Sequence, residues 1–234
     1  MRRMILFAAL LSLFLPVASL AQGASVTIIH GISGGALGLD ADLPVDIWVE
    51  GAPLLTDFRF TNVAGPVNLP AGTYGIEVFL AGSDPEETDP VLNLDATLGN
   101  GDDVTIVAHL TPGPDIALTP FVNNNTEQID DVISPRISER SVRLTVRHAA
   151  EFPRVAINRL VSAFEPTLIN GETLSVDLDA GTYRFWLSRA GAVRPLSAQP
   201  IEVSLEDDTS YFVYAIGSPA DGSFQLLITT SSLP

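Results

Sequence analysis

The sequence predicts an all-β protein built from two tandem immunoglobulin-like antiparallel β-sandwich domains. Short β-branched and aromatic runs recur every 8 to 12 residues, separated by Gly, Pro, Asn and Asp, which is typical of sandwiches. One phrase occurs twice, as LPAGTYGIEVFLAG at 69–82 and as LDAGTYRFWLSRAG at 178–191. Beyond the N-terminal segment, no stretch shows a sustained helical period. Together these observations favour one β domain used twice.

The N-terminal residues predict a signal peptide. Two arginines precede an apolar stretch, Met4–Leu15, that ends at Pro16. This stretch is short for a membrane span, which needs roughly 20 apolar residues. Small residues before and at Ala21 predict cleavage after that position. We therefore expect residues 1–21 to be removed, leaving a periplasmic or extracellular protein with no transmembrane segment.

Composition narrows the range of partners. The chain has 12 basic and 28 acidic residues, a net charge of −16, and no cysteine. Such acidity disfavours nucleic acid and anionic lipid, because their binding depends on neutralising phosphates. The acidity is uneven: residues 24–122 have a net charge of −13, and residues 123–234 a net charge of −5. Without disulfides, the cores must hold by apolar burial alone.

Landmarks recur in the same order in both halves. Each half begins with an apolar strand ending in histidine, His30 or His148, and continues to a short strand and then to the repeated phrase. Each closes with a β-rich run after an acidic turn. The predicted organisation is a first sandwich over 24–122, a linker over 123–139 and a second sandwich over 140–231.

The repeated phrase predicts a tight turn that leads into a central strand. Apolar side chains alternate with other types after Gly72 and after Gly181, the period of a strand with one buried face. Glycine fits a turn that needs a positive φ or a close backbone approach. We expect Tyr74 and Tyr183 to enter the core and to bond nearby backbone through their hydroxyls, because a buried phenol needs a partner.

These landmarks resemble a known family. A strand ending in His30, then PVDIWVEG at 44–51, LPAGTY at 69–74 and Ala-Gly at 81–82 resemble the secreted bacterial domain-of-unknown-function family 4397. The second half resembles it more loosely. The resemblance implies an immunoglobulin-like sandwich in the envelope or outside the cell, and implies no reaction. No catalytic, cofactor-binding or metal residue is assigned, and no cofactor is expected.

Ser33 is the first candidate for chemistry. Residues 31–35, GISGG, fit the G-x-S-x-G pattern of a nucleophile elbow. That elbow needs a following helix in a parallel-sheet fold, whereas Gly38 is poorly placed in a helix. We expect a loop at the end of the sandwich, and a hydrolase is only a remote alternative.

The three histidines are the second candidates. His30 and His148 occupy matching positions, and could bind a metal or act as a general base. They belong to different domains, and Asp46 near the first has no counterpart near the second. We expect both to be structural residues that close a strand, and His109 to be a core or edge residue.

A dense carboxylate cluster, Asp84–Asp89, follows the repeated strand of the first half. Calcium takes six to eight oxygens, and Asp40 and Asp42 could contribute from another loop. The second half has no equivalent cluster. We favour a solvated acidic loop over a calcium site.

Trp48 and Trp186 could form stacking surfaces for a sugar, since an exposed indole on a sheet indicates a contact surface. Packing between domains explains them equally well. The sequence thus predicts a secreted or periplasmic non-catalytic protein that binds or scaffolds, with an unknown protein or polysaccharide as partner. The alternative is a calcium- or carbohydrate-binding module.

Overall fold

The structure is a computed structural model. It describes residues 23–113, 115–124, 141–158, 166–192, 195–196, 200–207 and 209–232. The predicted signal peptide and most of the predicted linker lie outside the described residues. Within the described residues, no helix is long and apolar enough to cross a membrane.

The first half contains eight strands and one short 3-10 helix, Gly34–Leu37, between the first two strands. The strands are β1 (Ala24–Gly31), β2 (Val45–Val49), β3 (Ala52–Phe58), β4 (Val63–Leu69), β5 (Gly72–Leu80), β6 (Leu92–Leu98), β7 (Asp103–Thr111) and β8 (Asp115–Val122).

The second half contains eight further strands. They are β9 (Ser141–Ala150), β10 (Arg154–Asn158), β11 (Thr167–Ile169), β12 (Thr173–Asp179), β13 (Gly181–Arg189), β14 (Ile201–Leu205), β15 (Thr209–Gly217) and β16 (Gln225–Ser232).

Each half is a sandwich of two four-stranded sheets. The orders are β4-β1-β7-β8 and β3-β2-β5-β6 in the first, and β12-β9-β15-β16 and β11-β10-β13-β14 in the second. The second set repeats the first with every strand number raised by eight. The predicted all-β fold with two sandwich domains is confirmed.

One strand pair in each half is parallel, which the sequence did not reveal. β1 runs parallel to β7, and β9 runs parallel to β15. Parallel neighbours need a long connection, and here five intervening strands supply it. In each half the first strand lies between the fourth and the seventh strand of that half. The strand order therefore differs from that of an immunoglobulin constant domain, in which the first, second, fourth and fifth strands share a sheet.

Alternating side chains fill both cores. In β12 the pattern is strict: Leu174, Val176 and Leu178 are buried, and the residues between them are half-buried. The same alternation places Ile76 and Val78 of β5 in the first core. Apolar burial of this kind is the main stabilising term in a chain without disulfides.

The two phrase tyrosines make equivalent bonds. The Tyr74 hydroxyl donates to the carbonyl oxygen of Pro70 at 2.8 Å, and the Tyr183 hydroxyl to that of Asp179 at 2.9 Å. Both rings pack against their cores. The predicted hydroxyl bonds are confirmed, but both side chains are half-buried at the margin of the core and not inside it. Each bond ties the turn before the central strand to that strand.

Removing either hydroxyl tests this role. We expect Tyr74→Phe and Tyr183→Phe each to lower the free energy of unfolding by about 1 kcal/mol, because each change leaves a carbonyl without its donor while keeping the ring. Urea unfolding measures the difference. Unchanged stability in both variants would contradict a structural role for the bonds.

Candidate functional site

The two sandwiches share an apolar contact layer between them. It joins Ile29, Val107 and Phe121 of the first sandwich to Ala149, Phe212, Tyr214 and Ile216 of the second. These residues lie on the sheet faces that point away from their own cores. Consequently β7 and β15 are buried on both faces along most of their length. The molecule is therefore a stack of four sheets.

Arg147 of β9 lies at the centre of this layer and is 1% exposed. Its guanidinium donates to the carbonyl of Val122 at 2.9 Å, and to Asn123 Oδ1 and the Tyr214 hydroxyl at 2.7 Å each. Its terminal carbon lies 4.9 Å from the ring centre of Phe121 and 5.0 Å from that of Phe212. One cation thus binds both sandwiches.

The cost of removing the Arg147 guanidinium from water is only partly offset by its neighbours. Desolvation lowers the pKa of Arg147, while the Tyr214 hydroxyl and the charge of Asp103 act in the opposite sense. Asn123 links Arg147 to Asp103, because its Oδ1 accepts from Arg147 at 2.7 Å and its amide donates to Asp103 Oδ1 at 2.8 Å. The Nε of Arg147 makes no hydrogen bond. A guanidinium is weakly hydrated and stacks on rings, which favours arginine over lysine here.

Equivalent faces of the two sandwiches meet in this layer. Strand pairing makes Ile29 the counterpart of Arg147, and His109 the counterpart of Ile216. A Cβ on Gly31 would lie 2.9 Å from a methyl of Ile216, so glycine at this position allows the two sandwiches to approach closely.

Two side chains, Asn170 and Ser33, make hydrogen bonds at the periphery of the layer. The side-chain amide of Asn170 donates to the carbonyls of Leu110, at 2.9 Å, and Ala150, at 2.7 Å. The Ser33 hydroxyl donates to Asp221 Oδ2 at 2.7 Å, across 188 residues of sequence. The bonds from Asn170 to Leu110 and from Ser33 to Asp221 cross from one sandwich to the other, whereas the bond from Asn170 to Ala150 lies within the second. The loops as well as the sheets therefore fix the relative orientation of the sandwiches.

Ser33 therefore has a docking role in the structure. Its backbone is relaxed and extended, with φ −81° and ψ 125°, and it precedes a 3-10 turn, whereas a nucleophile elbow is strained and opens a helix. Burial would raise the pKa of Asp221, but bonds from Ser223 and Ser33 outweigh it and lower that pKa. The partner of Ser33 is thus an exposed carboxylate that also accepts bonds from Ser223.

His30 and His148 close their strands in the same way. Nε2 of His30 bonds the carbonyl of Leu43 at 2.9 Å, and Nε2 of His148 bonds that of Phe152 at 3.0 Å. Each Nδ1 accepts a backbone N–H two residues further along the chain, which places the ring proton on Nε2. His109 bonds Thr119 at 2.8 Å. All three are 1% exposed, and their predicted structural roles are confirmed.

In the Asp84–Asp89 loop, the carboxylate of Asp84 accepts a hydrogen bond from within the loop. Asp84 accepts the backbone N–H of Glu86 at 3.0 Å, and its carbonyl accepts the Thr88 hydroxyl at 2.6 Å. These bonds form an exposed turn. Among the described residues, no three His, Asp or Glu side chains are grouped as they would be around a metal ion.

Trp48 and Trp186 lie on the outer faces of the outer sheets. Trp48 of β2 is paired with Glu77 of β5, and Asn158 of β10 with Trp186 of β13. These two cross-strand pairs are equivalent, so each sandwich carries one indole at the same place. Trp48 contacts Phe79 edge-on, with ring centres 6.3 Å apart. Both indoles are half-buried.

The sequence did contain a signal for the contact layer. Residues 211–216, YFVYAI, form a continuous apolar run, and such runs indicate a strand buried on both faces. The sequence analysis predicted strands with one buried face and did not predict that this strand is buried on both faces. Arg147 lies in the predicted strand that ends at His148, and nothing in the sequence marks it as buried, since arginine is ordinarily exposed.

A family assignment agrees with this architecture. The family described as "Domain of unknown function (DUF4397)" matches residues 24–158, more than half of the chain, and the protein belongs to it. The match covers the first sandwich together with β9 and β10. No curated protein matches the sequence.

Solved structures match over most of the chain at low similarity. One is a "putative cell adhesion protein" from Bacteroides uniformis, with 10% identity, coverage of 91% of this chain and 97% of that chain, and a TM-score of 0.26. Another of the same description, from Bacteroides ovatus, has 9% identity, coverage of 92% and 98%, and a TM-score of 0.19.

Truncation of Arg147 tests the contact layer. We expect Arg147→Ala to lower the free energy of unfolding by about 3 kcal/mol, because buried acceptors lose their donor and three rings lose their cation. Unfolding should also separate into two transitions. Arg143→Ala is the matched control: Arg143 is on the same strand as Arg147, and the change removes its ion pair with Asp177 of β12, which should cost about 1 kcal/mol or less. Equal losses would contradict the special role of Arg147.

Acid should destabilise the fold through the buried histidines. Desolvation lowers the pKa of His148 to about 4, against about 6.5 in the unfolded chain. The neutral ring therefore contributes stability above pH 6.5, and this contribution is lost as the pH falls toward 4. Between pH 7.5 and pH 5 we expect His148 to account for a loss of about 2 kcal/mol.

Urea unfolding of the wild type and of His148→Gln across the same pH range measures this contribution of His148 to the free energy of unfolding. Glutamine can still donate to Phe152 but does not titrate, so the pH dependence should shrink by about that amount. Because the carboxylates are the same in both proteins, an unchanged pH dependence would show that His148 is not responsible.

Proposed function

We propose that this protein is an exported, non-catalytic binding or scaffolding protein of the cell envelope or the extracellular space. The supporting observation is the Arg147-centred layer, which joins two sandwiches into one body. Such a body holds the loops of both sandwiches in a fixed relation while they vary without disturbing the cores. Export follows from the predicted signal peptide at residues 1–21.

The state of the reactive side chains supports a non-catalytic role. Ser33 is used to dock the sandwiches, and the three histidines are neutral, buried and bonded to backbone or to a threonine. A general base has to reach a substrate proton, which these rings cannot do.

We also propose that the halves are two tandem copies of the family domain, over 24–122 and 140–231, joined by a linker over 123–139. The identical strand order and the equivalent bonds of Tyr74 and Tyr183 support this. In the same way, His30 and His148 repeat one hydrogen-bond pattern. The two copies differ at the contact layer, where Arg147 of the second stands at the position that Ile29 holds in the first.

Carbohydrate binding is the second candidate, and the two tryptophans favour it. They occupy equivalent cross-strand pairs on outer sheets that face away from the contact layer. Indoles bind sugar rings by stacking. Two sites on opposite outer sheets would make the protein a bridge between polysaccharide chains.

Thermal unfolding of the mature protein with calcium, with a chelator, and with a panel of soluble polysaccharides tests these roles. A ligand at 100 times its dissociation constant stabilises by about 2.7 kcal/mol. If a polysaccharide raises the melting temperature, we expect Trp48→Ala and Trp186→Ala to abolish the rise. Phe60→Leu is the control and should preserve the rise, because Phe60 is a half-buried aromatic residue that packs against the contact layer. A calcium-specific rise would instead assign a cation role to the Asp84–Asp89 loop. No rise with any ligand would leave a protein partner as the proposal.

A further inference from the structure

Sheet edges determine where another strand can join a sandwich, because their outer backbone groups are not paired within the sheet. The described strands form four sheets with eight edges. Natural proteins protect such edges with charges, prolines or short strands. The edge strands of this molecule differ in length and in whether they contain a charged residue or a proline.

Seven of the edges are protected. Each of six contains a proline or a charged residue; these are β3, β4, β6, β8, β12 and β14. β11 has only three residues. The remaining edge strand, β16, has eight residues with the sequence QLLITTSS, and so contains neither a charge nor a proline.

The centre of β16 exposes an apolar side chain. Ile228 is paired with Val213 of β15, which is fully buried, yet Ile228 itself is 47% exposed. The neighbours Leu226 and Leu227 pack against the second core and the contact layer respectively. Within the described part of the chain, β15 is the strand that pairs with β16.

We propose that β16 is a self-association edge, where a second copy of this chain adds its own β16 antiparallel to form a continuous eight-stranded sheet. Directly opposed residues in an antiparallel pair point to the same face. A two-fold axis through the middle of the strand places Ile228 opposite Ile228 of the other copy. It also places Leu226 opposite Thr230 and Leu227 opposite Thr229, so apolar and β-branched side chains meet and no like charges do.

The charge distribution favours this edge for self-association. The second half has a net charge of −5, whereas residues 24–122 have a net charge of −13. Pairing through β16 joins the two less acidic halves and leaves the more acidic halves apart, which limits repulsion. The equivalent strand of the first half, β8, begins with Asp115 and contains Pro120, so it lacks one backbone donor for the same pairing.

Sedimentation equilibrium of the mature chain and two variants tests the proposal. We expect the wild-type protein to form dimers, and Ile228→Lys to weaken dimerisation at least about tenfold, because it opposes two like charges at the centre of the pairing. Ile169→Lys is the matched control: Ile169 is an edge residue of the same sandwich that is 41% exposed, and this variant should dimerise like the wild type.

A second measurement does not depend on variants. Amide hydrogen exchange of the wild type at low and high protein concentration should show added protection in β16 and none in β8. A protein that stays monomeric up to near-millimolar concentration would overturn the proposal. So would equal weakening by both lysine variants, or concentration-dependent protection outside β16.

Discussion

The guanidinium of Arg147 lies between two sheets and bonds both sandwiches at once, to Val122 and Asn123 of one and Tyr214 of the other. A buried cation is tolerated only when its donors and its ring contacts are supplied from fixed positions. Those positions come from strands of both halves. The requirement to satisfy this one group therefore sets how the sandwiches are arranged.

The rest of the architecture follows from that constraint. Because the inner sheets face each other, β7 and β15 are buried on both sides, and the outer sheets are left to face water. The loops at the ends of the strands also contribute to the contact between the sandwiches, since the Ser33 hydroxyl donates a hydrogen bond to Asp221 of the other sandwich. What the molecule can offer a partner is consequently restricted to its outer sheets, its remaining loops and its unprotected edge.

The sequence predicted the sandwiches well, because they depend on local information. Alternation in β5 and β13 and the turn before each tyrosine are properties of a few neighbouring residues, and they fixed both the strands and the tyrosine bonds. The strand order and the contact layer depend on residues far apart in the chain. The parallel pairing of β1 with β7 and the bond from Ser33 to Asp221 have no signature in neighbouring residues, so the sequence predicted neither.

The central claim is that the two sandwiches form one rigid body, and a distance distribution tests it directly. The chain has no cysteine, so Asn93→Cys on β6 and Ser204→Cys on β14 would accept spin labels without background. These two positions lie on exposed parts of the two outer sheets. Double electron–electron resonance should give one narrow distance population in dilute protein. A broad distribution would mean that the sandwiches move independently, and would contradict the account.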